Sequence, residues 1–128
     1  NDSEFSLVVE TSVFNKNFHP TEKTIRNFLL KKPFLVFSSQ YFVQYLHNIG
    51  FRTFGEVIDE SYDSIECPRQ RCDAILSEVE RVCSGNLIKT NSEYFAEVCD
   101  HNYHQMSKLQ PYYLKLLEKA IGKFFINM

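Results

Sequence analysis

Thr21, Glu22 and Lys23 stand in a row just before an apolar pattern at Ile25, Phe28 and Leu29. The i, i+3, i+4 spacing of those three gives a helix one apolar face, so the triplet opens the helix and Thr21 can cap it. A helix start offers free N–H groups and a partial positive charge, which suit a phosphate. Lys23 adds a full cation there, where the helix alone disfavours one. A bound anion relieves that conflict, and Glu22 could accept hydrogen bonds from sugar hydroxyls. The plainer reading, ordinary capping beside a solvated lysine, fits the same residues.

Other chemistry-bearing residues surround this turn. Glu10 closes the apolar run FSLVVE, and Ser38 and Ser39 follow the run FLVF. Both runs read as buried strands, and ligands of open α/β sheets sit outside the carboxyl ends of strands. The candidate binding residues are therefore Glu10, Thr21, Glu22, Lys23 and Ser38, with His19 as a loop histidine, a general base or a phosphate contact. Asp59, Glu60 and Asp63 could hold a divalent cation, but their spacing also suits capping a turn. Cys99, His101 and His104 are close in sequence, and the two histidines share a helix face. A zinc site needs three or four convergent ligands, so a polar helix face is the expectation and no metal is expected. No nucleophile elbow, phosphate-binding glycine loop or dinucleotide fingerprint occurs.

The elements that must position these residues follow from periodicity. Residues 5–10 form a strand, 11–20 a loop, and the helix from Thr21 runs to Lys31 and Lys32, which suit its negative end. Pro33 stops it. Residues 34–37 form a second strand. Ser38 or Ser39 then caps a helix with Phe42, Val43, Leu46 and Ile49 inward, closed by Gly50 in a left-handed conformation. Residues 51–54 read as a third, shorter strand. Crossovers of this length make a parallel sheet. Pro68 opens a helix with Cys72, Ile75, Leu76, Val79, Val82 and Cys83 inward, ending at Gly85. Asn91 or Ser92 caps the next helix, with Phe95, Val98 and Met106 inward. Pro111 breaks it, and a final amphipathic helix follows. The expected fold is a single α/β domain over 1–128, with a β-α-β-α-β core in 1–55 and a mainly helical remainder in 56–128.

The chain has 128 residues, 44% of them hydrophobic and 15% aromatic, enough for one real core. Its twelve Phe and seven Tyr suggest that some rings cover a partner surface. Net charge is −2 with acids and bases intermixed, which argues against a nucleic-acid binder. The four cysteines match no metal pattern and read as reduced, pointing to a cytoplasmic or viral-intracellular setting. No apolar run reaches the roughly 20 residues of a membrane span. The first residues are Asn1-Asp2-Ser3 rather than Met, the expectation being a processed or excised piece.

The stretches FSLVVETS and FHPTEKTIRNFLLKKPFLVFSS resemble the donor-binding segment of α-1,3-fucosyltransferase-type glycosyltransferases. That family pairs a strand ending in a Glu-Asn-Ser-like triplet with a Thr-Glu-Lys helix start and a Pro-initiated strand. Here the triplet is Glu10-Thr11-Ser12, with Thr in place of the usual Asn, and Thr21-Glu22-Lys23 is intact. The resemblance implies a B-type glycosyltransferase half, with Glu22 at the ribose and Lys23 at the diphosphate of a nucleotide sugar, and no metal or other cofactor. It covers residues 5–40. Residues 51–63 are also similar to phage and marine-virus proteins. The resemblance further implies an acceptor half outside this chain, supplied by a neighbouring domain or a homodimer. Weak nucleotide binding without turnover is the expectation for the chain alone. The rival reading keeps the fold without the chemistry, as a protein-interaction or structural module.

Overall fold

A computed structural model describes the backbone of residues 6–10 and 22–126, and the side chains of 6–10, 24–109 and 111. The chain is a mixed α/β protein. Strand β1 (Ser6–Val9) leads through helix α1 (Glu22–Leu29) to strand β2 (Phe34–Phe37), and the two strands pair in parallel. Helix α2 (Phe42–Asn48) follows, then a 3-10 helix at Glu60–Ser64 and helices α3 (Pro68–Ser84), α4 (Leu87–Thr90) and α5 (Ser92–Ile126). The expected loop at 11–20, with His19 in it, lies outside the described residues, as does Thr21.

A run of phenylalanines joins these elements. Phe28 of α1 stacks on Phe51 at 4.1 Å between ring centres and meets Phe34 of β2 edge-on at 5.4 Å. Phe34 meets Phe54 edge-on at 5.6 Å, and Phe54 stacks on Phe95 of α5 at 5.1 Å. All five rings are buried. Each such contact adds about 0.5–1.5 kcal/mol beyond the burial of its rings. These rings build the core rather than a partner surface.

The expected third strand is absent among the described residues: the sheet has two strands. Residues 51–54 turn Phe51 and Phe54 inward, a three-residue spacing that the two-residue alternation of a strand cannot give. Their backbone pairs with side chains instead. The Arg52 N–H donates to Asn102 Oδ1 at 2.8 Å, and Asn102 Nδ2 donates back to the Arg52 carbonyl at 2.9 Å. The Phe54 N–H donates to Glu60 Oε2 at 3.2 Å. Asn102, buried on α5, does the work of a neighbouring strand.

Three further expectations are corrected. Neither Ser38 nor Ser39 caps α2. Asp63 does so from the 3-10 helix, accepting from the N–H groups of Val43 at 2.9 Å and Gln44 at 3.1 Å. On α3, Cys72 is only half-buried, while Leu76 and Cys83 are exposed. The inward face carries Arg71, Ile75 and Val82. The helix is turned so that the Arg71 guanidinium reaches carbonyls: Nε donates to Ser38 O at 2.9 Å and Nη1 to Ile65 O at 2.7 Å. Finally, α5 passes through Pro111. A proline inside a helix removes one hydrogen bond and costs about 3 kcal/mol. The buried face of Phe95, Val98, Asn102 and Met106 anchors the preceding turns, and the apolar spacing resumes after the proline.

Gly50 behaves as expected, with φ +94°. Its N–H donates to His47 O and the Phe51 N–H to Leu46 O, both at 3.0 Å, which closes α2 and aims 51–54 at α5. Lys31, also left-handed at φ 53°, ends α1. Its ammonium pairs with Asp100 at 3.2 Å and lies 4.8 Å from the Tyr103 ring centre, tying α1 to α5.

Candidate functional site

The carboxyl ends of both strands meet the start of α1. The register pairs Val9 with Phe37, and the Glu10 N–H donates to Phe37 O at 2.9 Å, so Glu10 stands opposite Ser38. Glu10 is fully buried, as is Thr24 in the first turn of α1. The Thr24 hydroxyl donates to Glu10 Oε2. This bond pins the start of α1 to the end of β1. Ser38 and Ser39 are buried, and neither hydroxyl has a hydrogen-bond partner among the described residues. A buried hydroxyl without a partner costs about 1–3 kcal/mol, and such groups mark positions where a bound molecule can supply the missing bond.

Of the sequence candidates, Glu10 and Ser38 come together at this corner. Glu22 and Lys23 form the first two residues of α1, so their backbone N–H groups belong to the open helix end. Their side chains and Thr21 lie outside the described set. Thr24 and Arg71 were not among the candidates. Thr24 shares the inward helix face with Phe28, four residues on, and a hydroxyl on that face aimed at a strand ending in Glu is a usable signal. Arg71 lies four residues before Ile75, which placed its stem on the buried stripe. Its guanidinium sits 5.8 Å from the Phe37 ring centre as well as at the Ser38 carbonyl.

The other constellations are structural. Asp59 caps the 3-10 helix by accepting from the Ser61 N–H at 3.0 Å, which holds its carboxyl below the usual range. Glu60 accepts from the Thr53 hydroxyl at 2.8 Å and from Phe54. Burial, against those two bonds, pushes its carboxyl up to about 7. Asp63 caps α2, and its carboxyl is also raised, chiefly by burial. The three acids thus hold three different partners, and no cluster able to hold a metal occurs among the described residues. Cys99 is buried, which pushes its thiol up to about 11. His101 and His104 are exposed and bond to Gly50 O and Asp100 O, each at 2.9 Å. All four cysteines are free.

Asp63 decides which helix start could take an anion. Its carboxylate already occupies the N–H groups at the head of α2, so an anion there would meet a like charge. At the head of α1, Glu10 accepts the Thr24 hydroxyl. Among the described residues no helix is long and apolar enough to cross a membrane. Set against protein-family profiles, curated proteins and solved structures, the chain matches none.

Proposed function

We propose that this chain is a glycosyltransferase-like domain that binds a nucleotide-sugar donor at the corner formed by β1, β2 and the head of α1. The supporting observation is the buried Glu10–Thr24 bond. It fixes the α1 helix start beside the carboxyl ends of two parallel strands, the place where open α/β sheets take ligands. The donor diphosphate docks on the first-turn N–H groups and Lys23, and Glu22 takes the ribose. The Ser38 hydroxyl, buried at the same corner, offers one further hydrogen bond to the donor.

The described residues of this corner include no pair of groups set up to activate an acceptor. The acceptor half and its base come from a neighbouring domain or a second copy. The chain alone binds the nucleotide without turning it over. Its four free thiols suit a reducing, cytoplasmic setting.

Thermal unfolding with a panel of nucleoside diphosphates and nucleotide sugars tests this reading. A ligand at about 100 times its dissociation constant adds about 2.7 kcal/mol, several degrees for a chain of this size. A uridine or guanosine diphosphate sugar is expected to raise the melting temperature, and the free base is not. Unchanged melting with every nucleotide at millimolar levels sinks the reading.

A further inference from the structure

We infer that Glu60, Thr53 and His47 form a proton relay through which a mostly buried carboxyl sets the hydrogen-bonding role of an exposed imidazole. The inference stands apart from the donor site. The Thr53 hydroxyl donates to Glu60 Oε1 at 2.8 Å, and its oxygen lies 2.7 Å from His47 Nε2. One hydroxyl thus joins the carboxyl of the 3-10 helix to a ring near the end of α2. His47 is exposed, and Nε2 is the ring nitrogen that Thr53 engages, so Nδ1 is the nitrogen the ring offers to solvent.

The protons available fix the linkage. A hydroxyl has one, and a neutral imidazole has one N–H and one bare nitrogen. While Glu60 is ionised, the Thr53 proton is committed to Oε1. Nε2 must then carry the proton that meets Oγ1, and Nδ1 is an acceptor. Glu60 Oε2 accepts the Phe54 N–H at 3.2 Å, so a proton added to the carboxyl sits on Oε1 and points at Thr53. The hydroxyl then turns its own proton to Nε2, which must be bare, and Nδ1 becomes a donor. Two hops connect imidazolium with carboxylate to neutral ring with carboxylic acid. Nε2 gives its proton to Oγ1, and Oγ1 gives the one it held to Oε1. One N–H bond breaks and one O–H bond forms at the ends, with Thr53 unchanged in between.

The surroundings set the switch near neutral pH. Burial raises the Glu60 carboxyl to about 7, inside the range in which histidine serves as a pH switch. Asp63, on the same 3-10 helix, pushes Glu60 the same way and attracts a charged His47 ring. Arg71 of α3 partly offsets the Asp63 charge. Tyr62 faces Glu60 from the 3-10 helix and Tyr94 from α5; both phenols are raised, chiefly by burial, and so stay neutral. Arg52 and Glu56 act on Tyr94 from its other neighbours. In acid, His47 therefore presents an N–H at Nδ1. In alkali it presents a bare nitrogen that accepts a hydrogen bond.

NMR of the His47 ring nitrogens, which tells Nε2–H from Nδ1–H, tests this on the whole chain. At pH about 9, above the ordinary range of histidine, the parent should carry its ring proton on Nε2 and Glu60→Gln should carry it on Nδ1. Glutamine stands for the neutral carboxyl, its amide donating to Oγ1 as the protonated acid does. In the parent, the proton of the neutral ring should move from Nε2 to Nδ1 as pH falls through about 7. Thr53→Ser keeps the hydroxyl and should keep this inversion. Thr53→Val removes the relay, and the ring should then take the same tautomer with or without Glu60→Gln. A ring proton that stays on Nε2 in Glu60→Gln overturns the inference. So does an inversion that survives Thr53→Val, which would make the coupling one of charge through space, or one that is lost in Thr53→Ser.

Discussion

Replacing Glu60 with glutamine should make this protein more stable at neutral pH and flatten its response to pH. Glu60 is mostly buried, against the Thr53 hydroxyl, the Phe54 N–H and the backbone at Gly55. Burial raises its carboxyl from 4.5 to about 7, so the folded chain binds a proton that the unfolded chain has released. Stability therefore falls as pH rises from about 4.5 to about 7 and levels off above that. The shift corresponds to a cost of about 3 kcal/mol for holding Glu60 ionised. Glutamine stays neutral. Its carbonyl can accept from the Phe54 N–H while its amide donates to Thr53 Oγ1, whose proton then turns to His47 Nε2, already 2.7 Å away. Allowing about 1 kcal/mol for a less favourable bond, Glu60→Gln should gain about 1–2 kcal/mol at pH about 8 and little at pH about 5. Urea unfolding of both proteins across this range is the assay. Asp63 is raised as well and leaves a weaker slope of the same sign at the acidic end. Asp59 and Glu78, both lowered, contribute the opposite slope below the usual carboxylate range. A parent protein whose stability rises between pH about 5 and about 7, or a variant with the parent's slope, would refute the reasoning.

Asn102→Leu keeps the volume but strands the N–H and C=O of Arg52; urea unfolding should show a loss of about 2–4 kcal/mol, and a loss below about 0.5 kcal/mol would deny the surrogate-strand role. Arg71→Lys keeps the charge but loses the fork that reaches Ser38, Ile65 and Glu66. Its cost should be about 2–4 kcal/mol by the same assay, and a neutral result would show that the fork is dispensable. Gly50→Ala meets both the positive φ and the side chain of Gln105, so it should destabilise by about 1 kcal/mol or more. Adding Gln105→Ala should recover only part of that loss, and full recovery would mean the backbone conformation is not strained.

Local patterns carried the first half of the fold. Residues 5–10 and 34–37 announce strands by their apolar runs, Pro33 and Pro68 mark boundaries, and Gly50 marks the end of α2, because each signal lies within a few residues of its effect. Most of the misread features depend on distant partners. Residues 51–54 have strand-like composition, but the group that satisfies them is Asn102, fifty residues away. Ser38 and Ser39 look like caps, but Asp63 holds that place from the far side of the 51–54 segment. A cysteine reads as a better inward residue than an arginine, until the carbonyls of Ser38 and Ile65 are seen waiting for Arg71. At the candidate site, the meeting of Glu10 with Ser38 followed from placing both at strand ends. The Thr24 bond did not, because the helix was read for its apolar face alone.

Calorimetric titration of a uridine or guanosine diphosphate sugar into the parent and into Lys23→Ala, at low ionic strength, tests the donor-site proposal most directly. A cation at the head of α1 that meets a diphosphate should contribute about 1.5–3 kcal/mol. The account predicts measurable binding to the parent and an affinity at least about tenfold lower in the variant, with the melting temperature of the unliganded protein unchanged or slightly raised. Equal affinities in the two proteins would contradict it.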